Sequence, residues 1–194
     1  MRAIGVLALQ GDVREHVATL RALGAHTVEV RTPDELDGVD ALVIPGGEST
    51  AIGRLVQRAG LREPLVTRLR EGMPAFGTCA GLILLSATVL DGRADQWSFA
   101  ALDVTVRRNG YGRQIASFET PLSVKGAGEV PGVFIRAPRI TAVGEGVEVL
   151  ATHDHGDGEH PVLVRQGNVF GCSFHPELTT TTTIHELFLS VVPD

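Results

Sequence analysis

The first half of the chain alternates short apolar runs with segments in which apolar residues recur every three or four positions. The apolar runs are typical of strands buried on both faces, and the other segments are typical of amphipathic helices. The pattern predicts strands at residues 4–9, 26–30, 41–44 and 75–78. It predicts helices that begin near residues 13, 33 and 82, and further helices at 50–59 and 61–70. This alternation indicates an α/β fold, in which helices cover the faces of a mostly parallel sheet.

The ends of the predicted helices carry capping signals. A side-chain oxygen at the N-cap and a glutamate three residues later can bond reciprocally to free N–H groups of the first turn. Three pairs have this spacing: Asp12 with Glu15, Thr32 with Glu35, and Thr183 with Glu186. We therefore expect all three pairs to cap helices.

From residue 103 to residue 173 the pattern changes to short β-branched runs separated by Gly, Pro and Asn. Helical spacing is hard to find there, and we expect antiparallel or mixed strands. The predicted strands are residues 104–106, 122–124, 133–135, 147–152, 162–165 and 169–173. No linker or repeat interrupts the chain, so we expect a single domain over residues 1–194.

Composition and charge narrow the function classes. With 43% hydrophobic residues among 194, the chain can form a sizeable core. The net charge of −6 argues against nucleic acid or an anionic membrane as the main partner, because both require a basic surface. The two cysteines do not form a disulfide framework. The N-terminal apolar run is too short for a signal peptide and no run approaches a membrane span, so we expect a cytoplasmic protein.

Three loops follow predicted parallel strands: residues 10–11, 45–50 and 77–81. Ligands of such sheets bind beyond the carboxyl ends of the strands. We therefore expect these loops to meet at one edge of the sheet and to form the functional site.

Cys79 lies in the third of these loops, between a predicted strand and a predicted helix, with Gly77 and Gly81 on either side. This arrangement is typical of a nucleophile elbow, in which a sharp turn lifts a reactive side chain clear of the backbone. A helix start supplies free N–H groups that favour a thiolate and can also receive an oxyanion. The alternative is a small buried cysteine that only packs under the sheet.

A second chemical signal is His175-Pro176-Glu177, directly after the last predicted strand. Proline biases the preceding residue towards an extended conformation, in which residues two apart point to the same side. Glu177 can then orient the imidazole of His175, which leaves one ring nitrogen free to take the thiol proton. Together with Cys79 the pattern predicts a Cys79/His175/Glu177 triad. The alternative is a histidine and a glutamate on a surface turn.

The glycine pair Gly46-Gly47 follows the third predicted strand. Two glycines permit a backbone turn that presents N–H groups inward, which would suit an oxyanion hole beside Cys79. The alternative is an ordinary glycine turn before a helix capped by Ser49 or Thr50.

These motifs together resemble a known family, the class I (triad) glutamine amidotransferases. Within that family, five blocks are similar to the glutaminase subunits of pyridoxal 5′-phosphate synthase. They lie at residues 45–50 (PGGEST), 77–85 (GTCAGLILL), 108–114 (RNGYGRQ), 132–138 (GVFIRAP) and 171–178 (GCSFHPEL). The glutaminase of histidine biosynthesis, a close competitor, usually has Leu-Gly-Met-Gln after its cysteine, and this sequence is not found here.

The resemblance implies a three-layer, flavodoxin-like α/β fold with extra antiparallel strands. It implies that Cys79 attacks the side-chain amide of L-glutamine, that His175 and Glu177 handle the proton, and that no cofactor takes part. Backbone N–H groups of Gly47 and Ala80 would form the oxyanion hole. The positions that match the family's glutamine-binding residues are Gly46, Gly47, Glu48, Arg108, Ile135 and Arg136. Without the resemblance, the two arginines would be interpreted as members of surface ion pairs.

The resemblance also implies a partner, the synthase subunit of pyridoxal 5′-phosphate synthase, in a large hetero-oligomer. Ammonia would travel inside that complex, since ammonia released into water would be protonated. Gln10, at the end of the first predicted strand, would couple docking to formation of the oxyanion hole.

Two further features have simpler interpretations than a functional site. The stretch at residues 152–160 (THDHGDGEH) has metal-ligand side chains, but consecutive ligands on one loop give poor geometry, and we expect a polar hairpin loop and no metal. Cys172 falls in an apolar strand and is expected in the core. Two other functions stay open at this point: a cysteine peptidase or esterase, and a regulatory module without catalysis.

Overall fold

The structure is a computed structural model that describes residues 2–110 and 117–193. The helices are α1 (Val13–Ala22), α2 (Pro33–Asp37), α3 (Ser49–Arg58), α4 (Arg62–Arg70), α5 (Ala80–Leu85) and α6 (Thr183–Leu189). The strands are β1 (Ala3–Leu7), β2 (His26–Val30), β3 (Ala41–Ile44), β4 (Ala75–Thr78), β5 (Ser86–Leu90), β6 (Leu102–Arg107), β7 (Ser117–Val124), β8 (Gly128–Ile135), β9 (Arg139–Val143), β10 (Glu148–Asp154), β11 (Glu159–Gln166) and β12 (Val169–Cys172). A 3₁₀ turn at Pro176–Leu178 follows β12.

A seven-stranded sheet with the order β10-β11-β12-β4-β3-β1-β2 forms the centre of the fold. The five strands from β12 to β2 run parallel, and β10 and β11 form an antiparallel extension at one edge. Two small sheets accompany it, β5-β6-β9 and the hairpin β7-β8. The predicted α/β class with a mostly parallel sheet and extra antiparallel strands is confirmed.

The central sheet separates two hydrophobic clusters, because successive side chains of a strand point to opposite faces. In β3, Leu42 and Ile44 join the cluster formed with α2, α3, α4 and α5. Ala41 and Val43 join the other cluster, with α1, α6 and the hairpin β7-β8. The molecule therefore has three layers, and its parallel strands read as continuous apolar runs because both of their faces are buried.

The predicted strands β2, β3 and β4 and the second-half strands β6, β7, β8, β10, β11 and β12 are all found, most of them longer than predicted. The first strand ends at Leu7 instead of residue 9. Strands β5 and β9 were not predicted from the sequence. Each strand has only five residues, and most residues of both strands are partly or fully exposed, so neither contains a long apolar run.

The capping predictions have mixed outcomes. Thr32 and Glu35 form the expected capping box, with Pro33 at the start of α2. Asp12 is the N-cap of α1, but its side chain makes no capping hydrogen bond, so that capping box is absent. The N-cap of α6 is Thr182 instead of Thr183, and its hydroxyl bonds to the Glu186 carboxylate instead of the helix backbone.

The three loops predicted to meet do so. The backbone N–H of Glu48 donates to Oε1 of Gln10 at 2.8 Å, and the N–H of Asp12 donates to the carbonyl of Gly46 at 3.1 Å. These bonds join the loops after β1 and β3, and the loop after β4 adjoins them at the same cleft. Over the described ranges, no helix combines the length and apolar character that a membrane span requires.

Candidate active site

Cys79 occupies a sharp turn between β4 and α5. Its φ of 48° and ψ of −100° place a non-glycine residue in a strained backbone conformation. The backbone N–H of Cys79 donates to the carbonyl of Cys172 at 2.9 Å, which holds the turn against the end of β12. The side chain is 7% exposed and lies at the wall of a cleft.

The glycines on either side of Cys79 are required by close backbone approaches. A Cβ at Gly81 would lie 2.0 Å from the carbonyl oxygen of Ile44, and a Cβ at Gly77 would lie 2.4 Å from the carbonyl carbon of Gly81. Neither approach tolerates a side chain, since both neighbours are backbone atoms. The Gly-x-Cys-x-Gly pattern is therefore the pattern that this turn needs.

His175 and Glu177 form the pair that the sequence predicts. Nδ1 of His175 lies 2.7 Å from Oε1 of Glu177, and both side chains are buried. The backbone differs from the expectation, because Glu177 lies in the 3₁₀ turn and not in extended chain. The backbone N–H of His175 donates to the carbonyl of Val133 in β8, which anchors the residue after the last strand.

A second carboxylate, whose role the sequence pattern does not predict, faces the same imidazole. Oδ2 of Asp12 lies 3.4 Å from Nδ1 of His175. Burial lowers the pKa of His175, but hydrogen bonds with Asp12, Cys79 and Glu177 and the charge of Glu177 raise it well above its ordinary value. The imidazolium form is therefore stabilised beside Cys79. The signal available in the sequence was the position of Asp12 just beyond a parallel strand, at the edge where ligands bind.

Burial shifts the pKa of Glu177 in the direction opposite to that of His175. It raises the pKa of this carboxyl, and the hydrogen bond from His175 counteracts the effect. Among the described residues, Oε2 of Glu177 has no hydrogen-bond partner within normal distance, although Nε2 of His16 lies 3.6 Å away. The ionised form of Glu177 therefore depends on the positive and N–H groups that surround it.

The glycine loop after β3 lies against both the imidazole and Gln10. A Cβ at Gly46 would lie 2.5 Å from Cε1 of His175, and a Cβ at Gly47 would lie 2.6 Å from Oε1 of Gln10. Gly47 also has a φ of 154°, which disfavours other residues. The two glycines thus let the backbone touch the histidine on one side and the glutamine on the other.

Glu48 has two roles at the mouth of the cleft. Its carboxylate accepts hydrogen bonds from the N–H groups of Thr50 at 3.2 Å and Ala51 at 2.7 Å, so it caps α3. It also pairs with the guanidinium of Arg108 at 2.8 Å. The N-cap of α3 is therefore Glu48. The simpler interpretation expected Ser49 or Thr50 at this position.

A cleft of about 370 Å³ brings most of the sequence-predicted positions together. It is lined by Gly47, Glu48, Cys79, Ala80, Arg108, Ile135, Arg136 and His175 from the predicted set, and by Gln10, Asp12, Ser49, Ile83, Asn109 and Leu178 in addition. Gly46 and Glu177 do not line the cleft, but both lie against His175, which does. Of the predicted 108–114 block, residues 111–114 lie outside the described residues.

Asp12, His175 and Glu177 each offer a potential metal-ligand atom, and these atoms lie within 4.8 Å of one another. The ring nitrogen of His175 already bonds to Glu177, which is the arrangement of a proton-handling pair. The other candidate cluster, at residues 152–160, forms the ends of β10 and β11 and the turn between them at 155–158, which is shorter than the loop that the sequence predicts. Asp154 accepts there from the N–H groups of Gly156 and Gly158. Cys172 is fully buried as predicted, and burial raises the pKa of its thiol.

Comparison with known proteins decides the family. The model of the SNO glutamine amidotransferase family matches residues 6–193 of the chain. The chain belongs to this family. Two relatives, both pyridoxal 5′-phosphate synthase subunit PdxT, are 56% identical over 192 residues. The protein from Nocardia farcinica matches over 97% of this chain and 85% of its own length, and that from Salinispora tropica over 97% and 96%.

Solved structures agree with the family. A glutamine amidotransferase crystal structure superposes with a TM-score of 0.90 at 48% identity, over 97% of this chain and 98% of that one. PurLQS from Thermotoga maritima superposes with a TM-score of 0.71 at 20% identity over the full length of both chains, which supports the fold alone.

Proposed function

We propose that the chain hydrolyses L-glutamine to L-glutamate and ammonia as the glutaminase subunit of a pyridoxal 5′-phosphate synthase. The observation that carries the proposal is the position of Cys79 on a strained turn, in one cleft with a histidine whose Nδ1 is 2.7 Å from Glu177. Membership of the SNO glutamine amidotransferase family and the PdxT relatives support this assignment over other cysteine hydrolases.

In the proposed reaction, the sulfur of Cys79 attacks the side-chain amide carbon of glutamine. His175 takes the thiol proton before the attack, as the imidazolium that its surroundings stabilise, and then donates it to the departing ammonia, which leaves a glutamyl thioester on Cys79. Water, deprotonated by His175, hydrolyses the thioester and releases glutamate. Glu177 holds the imidazole by its Nδ1 and stabilises the imidazolium, so that the other ring nitrogen serves the reaction.

The tetrahedral intermediates carry an oxyanion that needs donors. We assign this role to the backbone N–H groups of Gly47 and Ala80, from the loop after β3 and the first residue of α5. Both residues line the cleft beside Cys79. Two backbone donors aimed at the developing charge typically contribute several kcal/mol to catalysis.

The glutamine-binding positions proposed are Gly46, Gly47, Glu48, Arg108, Ile135 and Arg136. The substrate is a zwitterion, so its carboxylate suits a guanidinium and its ammonium suits a carboxylate. Arg108 and Glu48 present this pair of charges at the mouth of the cleft, already bonded to each other. Arg136 lies on the same wall, with a positive φ of 42° that holds its backbone in an unusual conformation.

We propose that a pyridoxal 5′-phosphate synthase subunit receives the ammonia inside a hetero-oligomer, and that Gln10 couples docking to the oxyanion hole. Gln10 accepts a hydrogen bond from the N–H of Glu48, so a shift of this side chain would release the loop that carries Gly47. We further propose a single glutaminase domain over residues 1–194 that works in the cytoplasm, where its two free cysteines stay reduced.

Labelling with a glutamine analogue tests the proposed activity. Diazo-oxo-norleucine should modify Cys79 and no other residue, and excess glutamine should protect the thiol. A peptide-like cysteine reagent that labels Cys79 while the glutamine analogue does not would favour a cysteine peptidase instead. Absence of labelling by both reagents would favour a regulatory module.

A further inference from the structure

A chain of buried polar side chains lies behind Glu177. It consists of His16 in α1, His185 in α6 and Thr78 at the end of β4, and all three are fully buried. Nδ1 of His16 lies 3.0 Å from Nε2 of His185, and Nε2 of His16 lies 3.1 Å from Oγ1 of Thr78. The same Nε2 lies 3.6 Å from Oε2 of Glu177, the carboxylate oxygen that faces away from His175.

Burial favours the neutral form of both histidines in the folded protein. Burial lowers the pKa of His185 to about 4, and burial, helped by the neighbouring histidines, lowers the pKa of His16 well below its ordinary value. A neutral imidazole carries one N–H and one lone pair. The contact between the two rings therefore allows two arrangements of protons, and only one N–H can lie between the rings.

In the first arrangement His16 donates from Nδ1 to His185. The proton of His185 would then be on Nδ1, which is buried and has no hydrogen-bond partner in the part of the chain that the structure describes. The lone pair of His16 Nε2 would face the carboxylate of Glu177. In the second arrangement His185 donates from Nε2, and His16 presents its Nε2–H to Thr78 and Glu177. The Nδ1 of His185 then carries only an unpaired lone pair, which is less costly than an unpaired buried N–H donor.

We propose that His16 is a positioning residue for the triad, whose Nε2–H is directed at Oε2 of Glu177 and Oγ1 of Thr78 and fixes the carboxylate for its bond to His175. At 3.6 Å the contact is longer than a hydrogen bond, and it places an N–H beside a buried carboxylate oxygen that has no hydrogen-bond partner among the described residues. Thr78 directly precedes Cys79, so the same N–H touches the elbow as well as the far end of the triad. This role rests on the glutaminase activity proposed above, because it deepens the assignment of the same site.

The tautomers are measurable without any activity. In the ¹⁵N-labelled protein at pH 7.5, two-bond ¹H–¹⁵N correlations distinguish imidazoles protonated on Nε2 from those protonated on Nδ1. We expect Nε2–H for both His16 and His185. An Nδ1–H form of His16 would overturn the proposal, whatever the outcome of the glutaminase assays.

The activity arm compares His16→Gln with His16→Leu in the complex with the synthase subunit. Glutamine can place an amide N–H near the position of Nε2, whereas leucine fills the space without a donor. We expect His16→Leu to lower kcat by about tenfold to a hundredfold with KM within about twofold, and His16→Gln to recover most of the loss. Equal kcat values for the two variants, or a kcat of His16→Leu within about twofold of wild type, would contradict the proposal.

A variant that fails to fold does not end this test. If His16→Leu does not fold, His16→Asn replaces it, because the shorter amide reaches the position of Nδ1 and leaves Nε2 without a counterpart. A kcat for His16→Asn equal to that of His16→Gln would then count against the proposal. Wild-type protein without Cys79-dependent hydrolysis would remove the proposed function, while the tautomer result would stand by itself.

Discussion

Asp12 and Glu177 contact the same nitrogen of one imidazole: Oδ2 of Asp12 lies 3.4 Å and Oε1 of Glu177 lies 2.7 Å from Nδ1 of His175. The two carboxylates differ in their surroundings. Glu177 is buried behind the ring, whereas the side chain of Asp12 is 35% exposed and lines the cleft. Asp12 is available for this contact because it does not cap its own helix. It therefore adds negative charge to His175 from the solvent side.

Replacement of Asp12 by Asn should shift the pH dependence of the reaction. Loss of the carboxylate lowers the pKa of His175, because the hydrogen bond with Asp12 is one of the contacts that raise it. The alkaline limb of kcat/KM, where the imidazolium loses its proton, should move to lower pH by up to about one pH unit, as the contact is partly exposed to solvent. The profile is measured with the synthase complex, and Asp37→Asn, which removes an exposed carboxylate from α2, is the matched control. An unchanged profile would exclude this role for Asp12.

The double role of Glu48 predicts separate effects on stability and on substrate binding. Glu48→Ala removes the cap of α3 and should lower the free energy of unfolding by about 1 kcal/mol. Glu48→Gln keeps an acceptor oxygen and should lose less than about half of that. Both variants lose the ion pair with Arg108, and both should raise KM for glutamine about tenfold. Urea unfolding and steady-state kinetics measure the two effects. A normal KM in both variants would place glutamine elsewhere.

The buried histidines predict a loss of stability in mild acid. Their pKa values are lowered in the folded state, that of His185 to about 4, so below about pH 6.5 the unfolded chain binds protons that the folded chain does not. This contribution to stability is complete above pH 6.5 and is lost as the pH falls, by up to about 1.4 kcal/mol per pH unit for each histidine. His185→Gln removes one of the two groups and should flatten the slope of unfolding free energy between pH 5 and 6.5. His26→Gln, which removes an exposed histidine, is the control. A wild-type slope in His185→Gln would contradict the assignment.

Two glycine substitutions test the elbow geometry. In Gly81→Ala the new Cβ would lie 2.0 Å from the carbonyl oxygen of Ile44, so the variant should lose about 3 kcal/mol or more of stability, together with its activity. Gly53 lies within α3, and the new Cβ of Gly53→Ala would make an ordinary contact at 3.5 Å with Trp97. The free energy of unfolding should therefore rise by about 0.5–1 kcal/mol. Thermal unfolding of both variants gives the comparison. A fully stable, active Gly81→Ala protein would mean that the turn differs from the one described.

The sequence allowed prediction of those parts of the fold and site that depend on local patterns. The apolar runs identified β2, β3 and β4, and the glycines around Cys79 indicated the turn that joins β4 to α5. The spacing of His175 and Glu177 indicated their contact, although the backbone between them is a 3₁₀ turn. In each case the residues that make the contact are neighbours in the chain.

Contacts between distant parts of the chain could not be predicted in this way. His16 and His185 are 169 positions apart, and His16 and Thr78 are 62 apart, so no local spacing indicates that the three side chains meet. Asp12 was assigned to a helix cap because its local spacing fits one, whereas its side chain faces His175 from another loop. The packing of α1 and α6 against one face of the sheet determines these contacts.

The central claim is Cys79-dependent hydrolysis of glutamine, enhanced by a synthase partner. It is tested most directly by glutamate release from glutamine by the purified chain, with and without a pyridoxal 5′-phosphate synthase subunit, with Cys79→Ala as the control. We expect little release by the chain alone, a strong increase with the partner, and none from Cys79→Ala in either condition. Absence of Cys79-dependent release in both conditions would contradict the proposed function.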